Sequence, residues 1–386
     1  MNPYLLVTGD FVKTGGMDRA NHALAKYLAE RGGETHLVAY RIADDLAGYP
    51  NVFFHRVPKP LNSYFLASPI LARAGRKWAL RIAARGGRVV VNGGNCVWPD
   101  INWAHHLHVS YKPQVTASPL WKLKAELSFR SAAVTDRKAF GVARVVISNS
   151  NRTRDELIRD LGVSEKRVHT VYLGIDGEVF RPRSHSERDA IRASLGWQPD
   201  TAMLVFVGAL GDRRKGFDTL FSSWQKLCAS KEWSAQLTVI GTGAELPAWK
   251  ARASAAGLAS RINFMGFCKD LPAVMAASDA LISPTRYEGY GLAIQEAVCC
   301  GLPAIVSRAA PVTERIGDGL EALMLPDPEN VEGLVDRIRL WHSRREDFAA
   351  AAAIVSAKLR QHSWADMASE FVEIVERAGC GVPVPG

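Results

Sequence analysis

The chain has 386 residues, 47% of them hydrophobic and 23% charged, which suits two α/β domains of ordinary size and excludes an intrinsically disordered protein. The charge is unevenly placed: residues 1–180 hold 25 Lys/Arg against 15 Asp/Glu, net +10, while 181–386 hold 23 against 24, net −1. An anionic partner is therefore expected on the N-terminal half. Six cysteines (Cys96, Cys228, Cys268, Cys299, Cys300, Cys380) form no CxxC pair and no metal spacing, so reduced thiols of a cytoplasmic protein are expected. The Met1–Val7 start has no basic leader, and no apolar run reaches the ~18 residues needed to span a bilayer.

In chain order, Tyr4–Thr8 reads as a buried strand, Gly9–Gly16 as a loop and Met17–Arg31 as an amphipathic helix ended by Gly32-Gly33. Gly15-Gly16 stands where the first strand hands over to the first helix, the usual ligand edge of an open parallel sheet. Further strands are expected at Thr35–Tyr40, Val52–Val57, Val89–Asn92 and Val145–Ser148. Leu71–Arg88 carries Arg73, Arg76, Lys77, Arg81, Arg85 and Arg88 between apolar residues. It reads as a solvated helix face or as a basic surface for anionic lipid or a phosphate-bearing acceptor. Trp121-Lys122-Leu123-Lys124 has the same character, and no nucleic-acid recognition motif accompanies it. In Trp103-Ala104-His105-His106-Leu107-His108, strand alternation would put His106 and His108 on one face and His105 on the other. No nearby Cys or carboxylate completes a zinc site there, and a histidine bonded to a ligand is the better reading.

A polar connection from Arg183 leads to a second α/β series beginning at Met203. Its first strand ends at Gly208, and Gly211-Asp212-Arg213-Arg214-Lys215-Gly216 forms a basic turn before the helix Phe217–Leu227. By position and charge this turn is a phosphate cradle. Strands recur at Leu237–Ile240, Ile262–Met265, Leu281–Ser283 and Ala304–Ser307. Gly241-Thr242-Gly243 carries two glycines of a dinucleotide fingerprint, but Leu246 replaces the third, which argues against a nicotinamide oxidoreductase. The last strand–turn–helix is the most informative stretch: Ser283-Pro284-Thr285-Arg286-Tyr287-Glu288-Gly289-Tyr290-Gly291-Leu292, with Glu296 two helical turns on and Gly301-Leu302-Pro303 as the stop. Gly289 and Gly291 leave the N–H groups of the helix start uncovered as an anion site. A carboxylate beside a phosphate cradle would be repelled by phosphate, so Glu288 and Glu296 suit hydroxyls, and the combination suggests a phosphorylated sugar. Ser363–Ala378 reads as a closing amphipathic helix.

These motifs together resemble the retaining glycosyltransferases of family 4, whose GT-B fold is α/β with two Rossmann-like doubly wound parallel-sheet domains facing a cleft. The resemblance rests on E-x7-E in its strand–turn–helix frame, on Lys215-Gly216-Phe217-Asp218, on Gly15-Gly16 and on Leu173-Gly174-Ile175-Asp176. It implies an acceptor-side domain over 1–182, a nucleotide-sugar domain over 183–362, and a C-terminal helix in 363–386 packing back on the first. It implies that Glu288 engages donor-sugar hydroxyls, Glu296 the ribose and Lys215 the diphosphate, with the main chain of Gly289, Tyr290, Gly291 and Leu292 helping. The Gly266-Phe267-Cys268 turn would meet the nucleobase, and Gly16 the phosphates from the other domain. His105 matches the family's active-site histidine, with His106 as competitor. Ala209 stands where the family often has Arg, and Arg213 or Arg214 would supply that guanidinium. The implied donor is a UDP- or GDP-sugar, with no cofactor or metal. The implied acceptor is a glycan, a lipid-linked or a small molecule met in the cytoplasm or at the inner membrane face. A GT-B epimerase or phosphorylase, and a non-catalytic nucleotide-sugar binder, share the architecture.

Overall fold

The computed structural model describes residues 2–111, 119–211 and 213–379, apart from the side chains of 119–125, 127 and 128. It divides into two compact units: the described residues up to Gly174, together with those from Ser363 on, form the first, and Ile175–His362 form the second.

The first unit is built on β1 (Tyr4–Val7), β2 (Thr35–Ala39), β3 (Val52–Arg56), β4 (Arg88–Asn92), β5 (Ile101–Ala104), β6 (Val145–Ser148) and β7 (Val168–Thr170). The sheet order is β3-β2-β1-β4-β5-β6-β7, parallel throughout, with Tyr4 opposite Thr35 on one side and Arg88 on the other. Strands β1, β2 and β4 are buried along their whole length, as parallel strands covered on both faces must be, which is why apolar residues dominate them. Helices α1 (Gly16–Glu30), α2 (Tyr64–Ala83) and α3 (Pro119–Val142) follow β1, β3 and β5. Strand order reverses between β1 and β4, and such switch points are where open α/β sheets bind ligands.

The C-terminal helix Trp364–Arg377 begins with a reciprocal capping box between Ser363 and Asp366 and buries Met367, Ala368, Phe371 and Val375. It is tied to the first unit by Tyr27, whose hydroxyl donates to Ser369 Oγ at 3.0 Å, and by Tyr4, whose hydroxyl donates to Glu376 Oε1 at 2.5 Å. Arg88 takes part in the same contact. Expected on the exposed basic face, it instead opens β4, is 4% exposed and donates to Gly379 O at 2.7 Å. The helix α2 ends before it, so Arg88 follows strand packing rather than helix periodicity, while Arg73, Arg76, Lys77 and Arg81 are exposed.

The second unit contains β8 (Met203–Val207), β9 (Gln236–Ile240), β10 (Ile262–Gly266), β11 (Ala280–Ser283) and β12 (Ala304–Val306) in the parallel order β10-β9-β8-β11-β12. Helices α4 (Phe217–Cys228) and α5 (Leu292–Cys299) follow β8 and β11, between which the order reverses. The second unit begins at Ile175, eight residues earlier than the sequence boundary at 183. The reason is a pairing remote in sequence: Ile175 N donates to His362 O at 3.1 Å, which joins the two ends of this unit.

The Gly241/Gly243 pair has a packing role. Gly241 (φ +147°) lies so close to the loop after β8 that a Cβ would stand 1.9 Å from Gly208 O, and Leu210 N donates to Thr242 O at 3.0 Å. These glycines let three neighbouring strand ends close on one another, since Gly241 N also donates to Gly266 O at 2.8 Å. Among the described residues, no helix is long and apolar enough to cross a membrane.

Candidate functional site

The strand order of the second unit places the loop after β8 beside the loop after β11, although their residues are some seventy positions apart in the chain. The first loop ends in a short turn, Arg213–Lys215, and Gly216, left-handed at φ +72°, starts α4. A Cβ on Gly216 would lie 1.9 Å from Pro284 O, so only glycine allows the two loops this approach. The contact is held by main chain: Arg214 O accepts from Arg286 N at 2.8 Å and from Thr285 Oγ1 at 3.0 Å.

Across this seam Lys215 Nζ is ion-paired with Glu288 Oε1, and Arg214 Nη1 lies 3.3 Å from Glu288 Oε2 and donates to Tyr287 O at 3.3 Å. Both partners of the lysine pair are largely buried, with 16% and 10% of their side chains exposed. A carboxylate between two cations in a partly dry site is held in one place, because each cation strengthens in effect as water is excluded. Arg213 and Arg214, both candidates for the phosphate guanidinium, have different partners. Arg213 pairs with Asp218 at 2.7 Å and with Glu329 at 3.2 Å, whereas Arg214 shares Glu288 with Lys215. Arg286 shares Asp218 and Glu329 with Arg213, and so pins the loop to α4.

The second loop runs into α5 through Gly291, at φ +103° and with no side-chain cap. The first N–H groups of a helix have no partners within it, so this start offers donors to an anion. Gly291 also sits against Val312: a Cβ would be 2.9 Å from Val312 Cγ1, and Val312 N donates to Tyr290 O at 2.9 Å. The Tyr290 side chain is buried, its hydroxyl meets Gln295 Oε1, and burial pushes the phenol up to about 12. Glu296 lies on α5, 5% exposed, and Phe267 stands at the end of β10 with 76% of its surface exposed. An exposed phenyl ring offers a flat apolar face.

In the first unit, Gly15 (φ +80°) and Gly16 start α1, again without a side-chain cap. Asp18 in its first turn has its carboxyl pushed up to about 6, by burial and then by the charge of Asp10. Strand β5 ends at Ala104, so the alternation expected through His108 does not extend that far. His105 is buried against Trp103, with ring centroids 4.4 Å apart, and its Nε2 lacks a hydrogen-bond partner among the described residues. Burial, and then His106, push it down to about 3, so its ring is neutral at physiological pH. His106 is exposed and packs its ring on His108 at 4.5 Å. Two residues here escaped sequence reasoning. Asp136, buried on α3, accepts from His108 N at 3.1 Å and is bonded to His108 Nδ1 at 2.7 Å. Asn92 ends β4, and its position beside β1 is legible only once strand order is known.

Residues 14–179 match the family described as Glycosyltransferase Family 4, and residues 187–354 match Glycosyl transferases group 1. Between them the two matches take in most of the chain. The chain belongs to glycosyltransferase family 4. Among its relatives is mannosylfructose-phosphate synthase of Agrobacterium fabrum, 25% identical over 292 residues, a match covering 72% of this chain and 63% of the relative. The chain spans between about half and two-thirds of the length of the first curated relatives it matches. In fold it is similar to WaaG, a glycosyltransferase involved in lipopolysaccharide biosynthesis, with a TM-score of 0.78 at 18% identity, covering 96% of this chain and 99% of that one. It is also similar to Anabaena Alr3699/HepE, whose structure holds UDP and glucose, with a TM-score of 0.71 at 17% identity and coverage of 98% and 100%. The architecture of this family member is therefore GT-B: two α/β units, each with a doubly wound parallel sheet.

Proposed function

We propose that this family member is a retaining glycosyltransferase that moves a hexosyl group from a UDP- or GDP-sugar to an acceptor hydroxyl. The observation that carries the reading is the meeting of Lys215 and Arg214 with Glu288 at the switch point of the second unit. Transfer needs stabilisation of charge that grows on the diphosphate as the sugar–oxygen bond stretches. Lys215, Arg214 and the N–H groups at the start of α5 supply it in this reading, and a diphosphate drawing on both cations leaves Glu288 to accept from the sugar's hydroxyls. Glu296 serves the ribose and Phe267 the base face. Retention of configuration follows when the acceptor attacks on the face the nucleotide leaves, with a phosphate oxygen taking the acceptor proton. His105, neutral and with Nε2 unpartnered among the described residues, holds a hydroxyl rather than a proton in transit.

Calorimetric titration with UDP and GDP tests the donor site. Lys215→Ala is expected to weaken nucleotide-diphosphate binding at least tenfold, in line with loss of a charge-assisted hydrogen bond of about 1.5–3 kcal/mol. Unchanged affinity in a folded variant rejects the assignment. Release of free nucleotide from a nucleotide-sugar that accelerates with added acceptor separates transfer from epimerisation.

A further inference from the structure

The first unit contains a cavity of about 730 Å³ along the carboxyl edge of its sheet. Its walls come from the ends of four strands: Gly9 after β1, Tyr40 after β2, Asn92 at the end of β4, and Trp103 and His105 at the end of β5. It thus straddles the β1/β4 switch point of this unit. Asn92 is its most unusual lining residue. The residue is 5% exposed, and neither Oδ1 nor Nδ2 has a hydrogen-bond partner among the described residues. Buried amides are almost always bonded, and an exception asks for an explanation.

Local structure does not provide one. Asn92 stands at the N-cap of the short turn Gly93–Asn95, where an asparagine side chain ordinarily bonds the turn's N–H groups, yet it makes no cap bond. Asn102 does that work from the neighbouring strand: its Oδ1 accepts from Gly93 N at 2.8 Å, and its Nδ2 donates to Gly93 O at 3.1 Å. With Gly93 already bonded to Asn102, Asn92 keeps a carboxamide on the cavity wall that is unpartnered among the described residues.

We propose that Asn92 binds a hydroxyl-bearing face of the acceptor and that the acceptor portion entering this cavity is a sugar or other polyol; this rests on the glycosyl-transfer reading above. A carboxamide sets one acceptor oxygen beside two N–H donors, and a hydroxyl or a vicinal diol, itself donor and acceptor, satisfies both. A phosphate or carboxylate would accept from Nδ2 but face Oδ1 with like charge, so an anionic group of the acceptor lies away from this residue. The apolar surround of Tyr40, Tyr64, Phe65 and Trp103 fits the C–H faces of a pyranose, and the few polar atoms fix its orientation. His105 Nε2, on the same wall and also unpartnered among the described residues, is a second contact for such hydroxyls.

The test is saturation-transfer NMR on the full chain with methyl α-D-glucopyranoside, methyl α-D-mannopyranoside, methyl α-D-galactopyranoside and myo-inositol, with UDP and GDP titrated in parallel. At least one polyol is expected to bind the wild type. Asn92→Leu, close in shape but without polar atoms, is expected to weaken it at least tenfold while nucleotide affinity stays unchanged. Its Tm should equal or exceed that of wild type, because an unpartnered amide is removed; Asn92→Ala reads the same binding loss if leucine does not pack. A polyol affinity untouched by both variants overturns the proposal, and so does a fall in Tm shared by both variants, which would mean that the amide has a structural partner. Nucleotide binding with no polyol bound by wild type also overturns it, whereas failure of both UDP and GDP to bind removes the glycosyl-transfer reading itself.

Discussion

Replacing Gly216 by alanine tests whether the seam between the two loops builds the donor site. The residue has φ +72°, where a side chain costs roughly 1–2 kcal/mol. The new Cβ would also stand 1.9 Å from Pro284 O and 2.7 Å from Pro284 C, both main-chain atoms that cannot rotate away. The loops must then part by more than an ångström, and forcing atoms into a packed site costs about 1–3 kcal/mol more. The total, about 2–5 kcal/mol, falls on the contact that sets Lys215 against Glu288. Gly257→Ala is the internal control: it has nearly the same backbone, φ +70°, but nothing lies within 4 Å of its Cβ. It should carry the conformational cost alone, about 1–2 kcal/mol. Thermal unfolding compares the two, at about 2–4 °C per kcal/mol for a unit of this size. Calorimetry with UDP and GDP adds the functional readout, with Gly216→Ala losing at least tenfold and Gly257→Ala unchanged. Equal Tm values for the two variants, or full nucleotide affinity in Gly216→Ala, would refute the reasoning.

Two further outcomes follow from charged side chains, one in each unit. Asp18 binds its proton more tightly folded than unfolded, with its carboxyl raised from 3.8 to about 6, so the folded state pays an ionisation penalty that builds as pH rises through that window. Asp18→Asn should therefore stabilise the protein at pH 7, by about 1 kcal/mol after allowing for solvent screening, and leave stability unchanged at pH 3.5. Tm measured across pH checks this, and a gain that persists at the acid end would exclude the ionisation account. Arg286→Met removes the buried cation shared by Asp218 and Glu329 and should destabilise the second unit by about 2–4 kcal/mol. It should also weaken UDP or GDP binding through the displaced 284–287 loop, and urea unfolding followed by calorimetry would read a merely local role as a loss of stability with affinity intact.

The fold was largely legible because buried parallel strands write themselves as apolar runs and glycine-rich turns mark their ends. The second unit is the clear case: Met203–Val207, the basic turn and Phe217–Cys228 follow one another in the chain, as do Ala280–Ser283, the Glu288 turn and Leu292–Cys299. Each is a local strand–turn–helix whose identity depends on neighbours in sequence. Its motifs also carried the family resemblance, because Lys215-Gly216 and the Glu288/Glu296 pair keep their spacing within single segments.

What the tertiary structure alone decided depends on pairings between distant residues. The β8/β11 neighbourhood puts Lys215 and Arg214 on Glu288, while Arg213, adjacent in sequence, is taken by Asp218 and Glu329. No local pattern distinguishes two consecutive arginines. Arg88 read as one more cation of a basic helix until its strand position buried it against the C-terminal helix. Asn92 read as the tail of a strand, and its unpartnered amide emerges only because Asn102, ten residues on, has taken over the turn beside it. Sequence determines which chemical groups this protein owns and the local frames that hold them. Strand order, which sums weak preferences over the whole chain, decides which of those groups meet.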